Sequence, residues 1–128
     1  MTRKRVLLID DEPLVARVMA RTLAPYCDVS VADSGRGAIA VLDAQDANAP
    51  PFDVVLCDLM MPGMTGIEFA DFLDARDPGL RRRMLFLTGG AVTTAAADFL
   101  ARDDVRFLSK PIGVRELVNA IEETGQRS

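Results

Sequence analysis

Five short apolar runs, each followed by a segment with helical spacing, constrain this chain more than any other feature. The runs are Val6-Leu7-Leu8-Ile9, Asp28-Val29-Ser30-Val31-Ala32, Val54-Val55-Leu56-Cys57, Met84-Leu85-Phe86-Leu87 and Val105-Arg106-Phe107-Leu108. Short runs rich in β-branched and apolar residues, bounded by turn residues, read as strands, and the uninterrupted ones as strands buried on both faces. The second run alternates polar and apolar residues, the pattern of an edge strand. Alternation of β and α five times over calls for an α/β fold, with a parallel sheet covered by helices on both faces. Right-handed crossovers then bring every strand's carboxyl end to one edge. The 128 residues suit a single domain, 1–128, with a core over about 5–123.

The helices announce themselves by caps and spacing. Pro13 suits a first helical turn, with Asp11 and Glu12 at its positive end. Leu14, Val15, Val18, Met19, Thr22 and Leu23 then repeat at helical spacing, and Pro25 stops the helix. Ser34 is an N-cap for a helix carrying Ala38, Val41 and Leu42 on one face. Thr65 with Glu68 forms a capping box for a third helix, which carries Phe69, Ala70 and Leu73 and ends near Pro78-Gly79. A fourth, Ala-rich helix over Ala91 to Ala101 turns Ala97 and Leu100 inward. The last has Val114, Leu117, Val118 and Ile121 at i, i+3, i+4 and i+7, with Gly125 as its C-cap.

Composition removes several functions. The formal net charge is −4, and the basic clusters Arg3-Lys4-Arg5 and Arg81-Arg82-Arg83 are short, so they read as solvated rims and no nucleic-acid partner is expected. No run approaches the roughly 20 apolar residues of a membrane span, and Val6 to Ile9 is too short for a leader's apolar segment, so the expected location is cytoplasmic. Cys27 and Cys57 have no disulfide-framework spacing and read as reduced, buried thiols. The sequence contains no His. A Ser-His-Asp triad, a His-ligated zinc and a phosphohistidine within this chain are therefore excluded. A metal here would be held mainly by oxygen, which favours Mg²⁺.

Four strands end on reactive side chains: Asp10-Asp11, Asp58, Thr88 and Lys110. On one sheet edge these make three carboxylates, one hydroxyl and one amine. Clustered carboxylates repel unless a cation shares them. A carboxylate can attack phosphorus to give an acyl phosphate. Lys110 can neutralise charge on a transferred phosphoryl group, and Thr88 can donate to one of its oxygens.

With these residues in place the sequence resembles the receiver domain of two-component response regulators. The resemblance rests on Asp10-Asp11, on Asp58 within Cys57-Asp58-Leu59-Met60-Met61-Pro62-Gly63-Met64-Thr65-Gly66, on Thr88, and on Lys110-Pro111. It implies a doubly wound, flavodoxin-like sheet of order 2-1-3-4-5. It implies Asp58 as phospho-acceptor, with Mg²⁺ (or Mn²⁺) held by Asp11, Asp58 and the Met60 backbone carbonyl, and Asp10 helping directly or through water. Lys110 would contact the phosphoryl group, Thr88 would move toward it, and Phe107 occupies the switch-aromatic position. The Lys110-Pro111 bond would be cis. The partners implied are a histidine kinase or histidine phosphotransfer domain and a downstream protein effector. The charges at Arg102, Asp103, Asp104, Arg106, Arg115 and Glu116 suit either solvent or a homodimer face on the last helices.

Met60 departs from the polar residue common at its position, and Gly90 leaves space beside the site; both bear on how water reaches an acyl phosphate. The run Leu87 to Ala91 is similar to receivers attached to hybrid sensor kinases, so an excised C-terminal receiver is an alternative, with no output domain expected before Ser128. A receiver that only binds a partner is a second alternative, disfavoured by intact Asp11, Asp58, Thr88 and Lys110. A haloacid-dehalogenase-type phosphatase would need an acid where Met60 stands. A flavodoxin-like cofactor binder would need hydroxyls and glycines where Asp10-Asp11 stand. The expectation is a switch, not a turnover enzyme.

Overall fold

A computed structural model describes residues 3–90 and 92–127. Five parallel strands form one sheet in the order β2-β1-β3-β4-β5. In chain order they are β1 (Lys4–Ile9), β2 (Cys27–Ala32), β3 (Val54–Asp58), β4 (Met84–Thr88) and β5 (Arg106–Ser109). The helices are α1 (Pro13–Leu23), α2 (Gly35–Asp43), α3 (Gly66–Arg76), α4 (Pro78–Arg82), α5 (Thr94–Leu100) and α6 (Val114–Gly125). Sheet order and parallel pairing match the sequence expectation. No helix among the described residues is long and apolar enough to cross a membrane.

Strand side chains alternate between two cores. Leu7, Ile9, Val55, Cys57, Met84 and Phe86 face α2, α3 and α5, where Phe69, Leu73 and Phe99 meet them. Val6, Leu8, Val54, Leu56, Leu85 and Leu87 face α1 and α6, meeting Ala16, Leu23, Leu117 and Ile121. Every residue of β3 and β4 is buried, as befits the inner strands of a sheet covered on both faces.

Several local expectations are corrected. Helix α3 ends at Arg76, near Pro78-Gly79 as expected, but a short further helix, α4, starts at Pro78. Asp77 closes α3 and caps α4, accepting from the Leu80 N–H at 3.1 Å, and Pro78 takes the first turn where its missing N–H costs nothing. In α1 Ala16 and Leu23 are buried and Met19 packs partly beside them, while Leu14 and Val18 are 73% and 64% exposed. In α5 Ala96 and Phe99 are inward, Ala97 is exposed, and Thr93 is the N-cap. The expected start of that helix at Ala91 falls outside the described residues. In α6 Val114 is exposed, and Gly125 is the last helical residue, not the cap, which is Gln126. A Cβ at Gly125 would stand 3.2 Å from Lys4 Cε and 3.3 Å from Val54 Cγ2, so close packing on the sheet explains it. Arg81 is not a rim residue. It is 4% exposed, because α4 turns it in against Phe99 and Asp104.

Candidate functional site

Strand register assembles the site. Ile9 pairs with Cys57, which sets Asp10 level with Asp58 on adjacent strands. The Asp10 N–H donates to the Ala32 carbonyl at 3.1 Å, and the Leu59 N–H to the Leu87 carbonyl at 3.0 Å, so both strand ends are tied to their neighbours. Thr88 pairs with Ser109, and the Lys110 N–H donates to the Thr88 carbonyl at 2.7 Å. Lys110 is thereby delivered by the backbone to the edge that carries the acids.

Carboxylate oxygens of Asp10, Asp11 and Asp58 lie within 4.8 Å of one another. Lys110 Nζ stands 3.6 Å from Asp58 Oδ2 and 3.9 Å from Asp10 Oδ2. Asp10 is almost wholly buried. Its Oδ1 accepts from the Glu12 N–H at 2.9 Å, which ties it to the head of α1. Its Oδ2 is buried with no hydrogen-bond partner. A buried carboxylate oxygen that accepts no hydrogen bond, with only Lys110 Nζ at 3.9 Å to offset it beside two further carboxylates, is costly unless a further cation joins them. The oxygen-only donor set fits a hard divalent ion.

Burial is the main influence raising the Asp58 carboxyl above its ordinary range; Lys110 pulls it down and Asp10 pushes it up, with a smaller downward pull from the Met60 N–H. That N–H donates to Asp58 Oδ1 at 3.4 Å. Cys57 is buried, its thiol facing the Asp58 backbone carbonyl at 3.3 Å, and burial with the nearby carboxylates pushes it far up. It is a packing residue.

The other candidates are placed as follows. Thr88 is buried at the end of β4, and the Lys110-Pro111 peptide is cis. Met60 is 40% exposed at the lip, whereas Met61 is buried in the core. Phe107 lies on β5, outside the core and 41% exposed. Gly90 has φ +71° with nothing within 4 Å of a built Cβ. The site thus gathers Asp10, Asp11, Asp58 and Lys110, with Thr88 joined through the backbone and Phe107 apart on the outer strand.

Two contributions escaped the sequence reading. Gly89 lies along the Lys110 stem, where a built Cβ would stand 3.4 Å from Lys110 Cδ, an ordinary contact, so the β4–α5 turn flanks the lysine. Beside Lys110, Leu14, Val18, Val114 and Ile112 line an apolar groove of about 410 Å³ between α1 and α6. The signal for that groove was present: α1 carries more apolar positions than one inward stripe can use.

A family described as the response regulator receiver domain matches residues 6–122. The response regulator receiver protein CpdR of Brucella abortus (strain 2308) is 37% identical over 122 residues, covering 94% of this chain and 95% of CpdR. The probable transcriptional regulatory protein TcrX of Mycobacterium tuberculosis (strain ATCC 25618 / H37Rv) is 32% identical over 114 residues, which are 88% of this chain and 46% of TcrX. The chain spans about half the length of several such relatives. A CheY-like response regulator receiver domain protein from Methanospirillum hungatei JF-1 superposes with a TM-score of 0.80 at 21% identity, covering 97% of this chain and 94% of that one, a likeness of fold.

Proposed function

The chain belongs to the response regulator receiver family of two-component systems, and we propose that it is a phosphorylatable signalling switch with Asp58 as the acceptor. The observation that carries the proposal is the meeting of three carboxylates within 4.8 Å with Lys110 Nζ at 3.6 Å from Asp58. A Asp58 carboxylate oxygen attacks phosphorus of a phosphohistidine on a kinase or phosphotransfer domain. The P–N bond breaks, the leaving imidazole takes up a proton, and an acyl phosphate remains on Asp58. The donor must come in trans, since this chain has no His.

Asp10, Asp11, Asp58 and the Met60 carbonyl would hold Mg²⁺ or Mn²⁺. Such an ion, when bound, neutralises charge on the transferred group. Lys110 lies between Asp58 and Asp10 and can follow the charge onto phosphoryl oxygens. Thr88 supplies a hydroxyl at the end of the next strand. A shift at Thr88 and Phe107 carries the signal to the 88–123 region, where a protein effector reads it. The apolar groove at Leu14, Val18 and Val114 offers the donor an apolar seat next to Lys110. Two copies can also pair through the last helices.

Incubation with Mg²⁺ and acetyl phosphate, beside an Asp58→Asn control, tests this reading. A base-labile mass adduct on the parent and none on the variant is the expected result. No adduct on the parent favours a receiver that only binds a partner, and rapid turnover of phosphate esters favours a phosphatase.

A further inference from the structure

The segment 59–65 joins β3 to α3 and carries Met60 over the acceptor. Its far end is closed in two ways. The Gly66 N–H donates to the Leu59 carbonyl at 2.9 Å. Thr65 and Glu68 cap each other across the first turn of α3, at 3.0 and 3.2 Å. A third restraint comes from another part of the chain, where Met64 lies on Gly35 at the head of α2. A Cβ built at Gly35 would stand 2.6 Å from Met64 Sδ, 2.9 Å from its Cγ and 3.0 Å from its Cβ. A thioether tip can swing aside. The Cγ can clear the space only by turning χ1 to another rotamer, and the Cβ, fixed to the backbone of the segment, must give by a few tenths of an ångström.

Gly35 is not required by its own conformation. The only positive-φ glycines among the described residues are Gly63 and Gly90. Gly35 opens α2 directly after the Ser34 cap with an ordinary φ, where an alanine would serve the backbone as well, so the missing side chain has a spatial reason, and Met64 is what fills the space.

The same segment reaches the acceptor directly, through the Met60 N–H on Asp58 Oδ1 at 3.4 Å. We propose that Gly35 and Met64 are positioning residues, a socket and peg that hold the Met60 amide on Asp58 and so keep the Asp58 carboxylate facing Asp10 and Asp11. The inference rests on the cation reading of that acidic cluster. Displacing the peg lets the Met60 end of the segment drift, and with it the oxygen set a divalent ion needs. Residues that orient ligands without touching the metal commonly change affinity by about 10–100-fold when altered.

Mn²⁺ binding to the whole unphosphorylated chain, read from the electron paramagnetic resonance signal of the free ion, tests the inference without any phosphotransfer. Gly35→Ala, which overfills the socket, and Met64→Ala, which empties it, each weaken Mn²⁺ binding about tenfold. Met64→Leu, close in volume, stays within about twofold of the parent. Arg36→Ala, exposed on the same helix, leaves affinity unchanged. Gly35→Ala and Met64→Ala proteins that melt at lower temperature but bind Mn²⁺ as the parent does would overturn the inference, since a packing role alone moves only stability. Should Gly35→Ala not fold, the contrast between Met64→Ala and Met64→Leu decides the matter. A parent that binds Mn²⁺ no better than Asp11→Asn overturns the cation reading itself, and this inference with it.

Discussion

Asp58 is placed where its charge is unwelcome. The ordinary value for such a carboxyl is 3.8, and burial, opposed by Lys110 and reinforced by Asp10, raises it in the fold. Between the two values the folded chain keeps a proton that the unfolded chain has lost. Stability therefore falls as pH rises through that window, and above it the fold carries the whole cost of the anion. Asp58→Asn removes that cost. In metal-free buffer at pH 7 the variant should melt about 3–5 °C above the parent, the shift expected of roughly 1 kcal/mol in a domain of this size. The gain should vanish in melts run below pH 3.8. Met60 raises a different question at the same lip. It is 40% exposed, and its side chain offers only a weakly accepting thioether to an approaching water. Met60→Asn supplies an amide that can orient that water. It should shorten the life of the acyl phosphate about tenfold, equivalent to roughly 1.4 kcal/mol of barrier. A half-life equal to or longer than the parent's, by phosphate release, would refute the argument.

The element whose attachment was least legible in the sequence is α5. Strand ends and caps are local events. Asp58 before Pro-Gly, Ser34 as a cap and the Thr65–Glu68 box could all be read from neighbouring residues, and the structure contains each of them. Arg81 could not be read that way. In Arg81-Arg82-Arg83 nothing local distinguishes the residue that α4 turns inward. Its guanidinium lies 5.8 Å from the Phe99 ring and 3.5 Å from Asp104 Oδ2. Arg102 covers Phe99 at 5.4 Å and bonds Asp104 at 2.8 and 3.0 Å. Phe99 in turn meets Phe86 edge-on at 5.1 Å, two residues before Thr88. Helix α5 is thus clamped between two guanidinium groups and the strand that delivers Thr88. Burial alone would raise the Asp104 carboxyl, yet Arg102 and Arg81 together hold it below the ordinary range. An exposed pair such as Arg102–Asp104 contributes under about 1 kcal/mol. Asp104 also neutralises a buried cation, whose loss of partner costs more. Asp104→Ala should therefore cost about 1–2 kcal/mol in the parent and under about 0.5 kcal/mol in an Arg81→Met background, from urea midpoints at equal slope. Equal costs in both backgrounds would mean that Arg81 is held by packing alone.

At the scale of the whole molecule, a parallel sheet gathers every strand's carboxyl end on one side, which is why four separate sequence signals combine into one site. The same geometry concentrates charge. Asp10, Asp11 and Asp58 crowd together above two apolar cores, with one lysine at 3.6 and 3.9 Å to offset them. Sequence alone could not show how deeply Asp10 is buried or that its Oδ2 accepts no hydrogen bond, because both depend on β2 and α1 closing over it. A divalent ion that shared the three carboxylates would therefore add to the stability of the fold. Binding to the folded chain alone adds RT ln(1 + [L]/Kd), about 2.7 kcal/mol at a hundredfold excess over Kd. Mg²⁺ at that excess should raise the parent's melting temperature by about 10 °C over EDTA. Asp58→Asn should begin higher in EDTA and gain much less from Mg²⁺, so the two melting curves converge or cross as the ion is titrated. Parallel shifts in parent and variant would show that the ion acts elsewhere on the molecule. A crossing locates the stabilisation in the acidic cluster, and identifies the cost of holding three carboxylates at one sheet edge as the term that the cation removes.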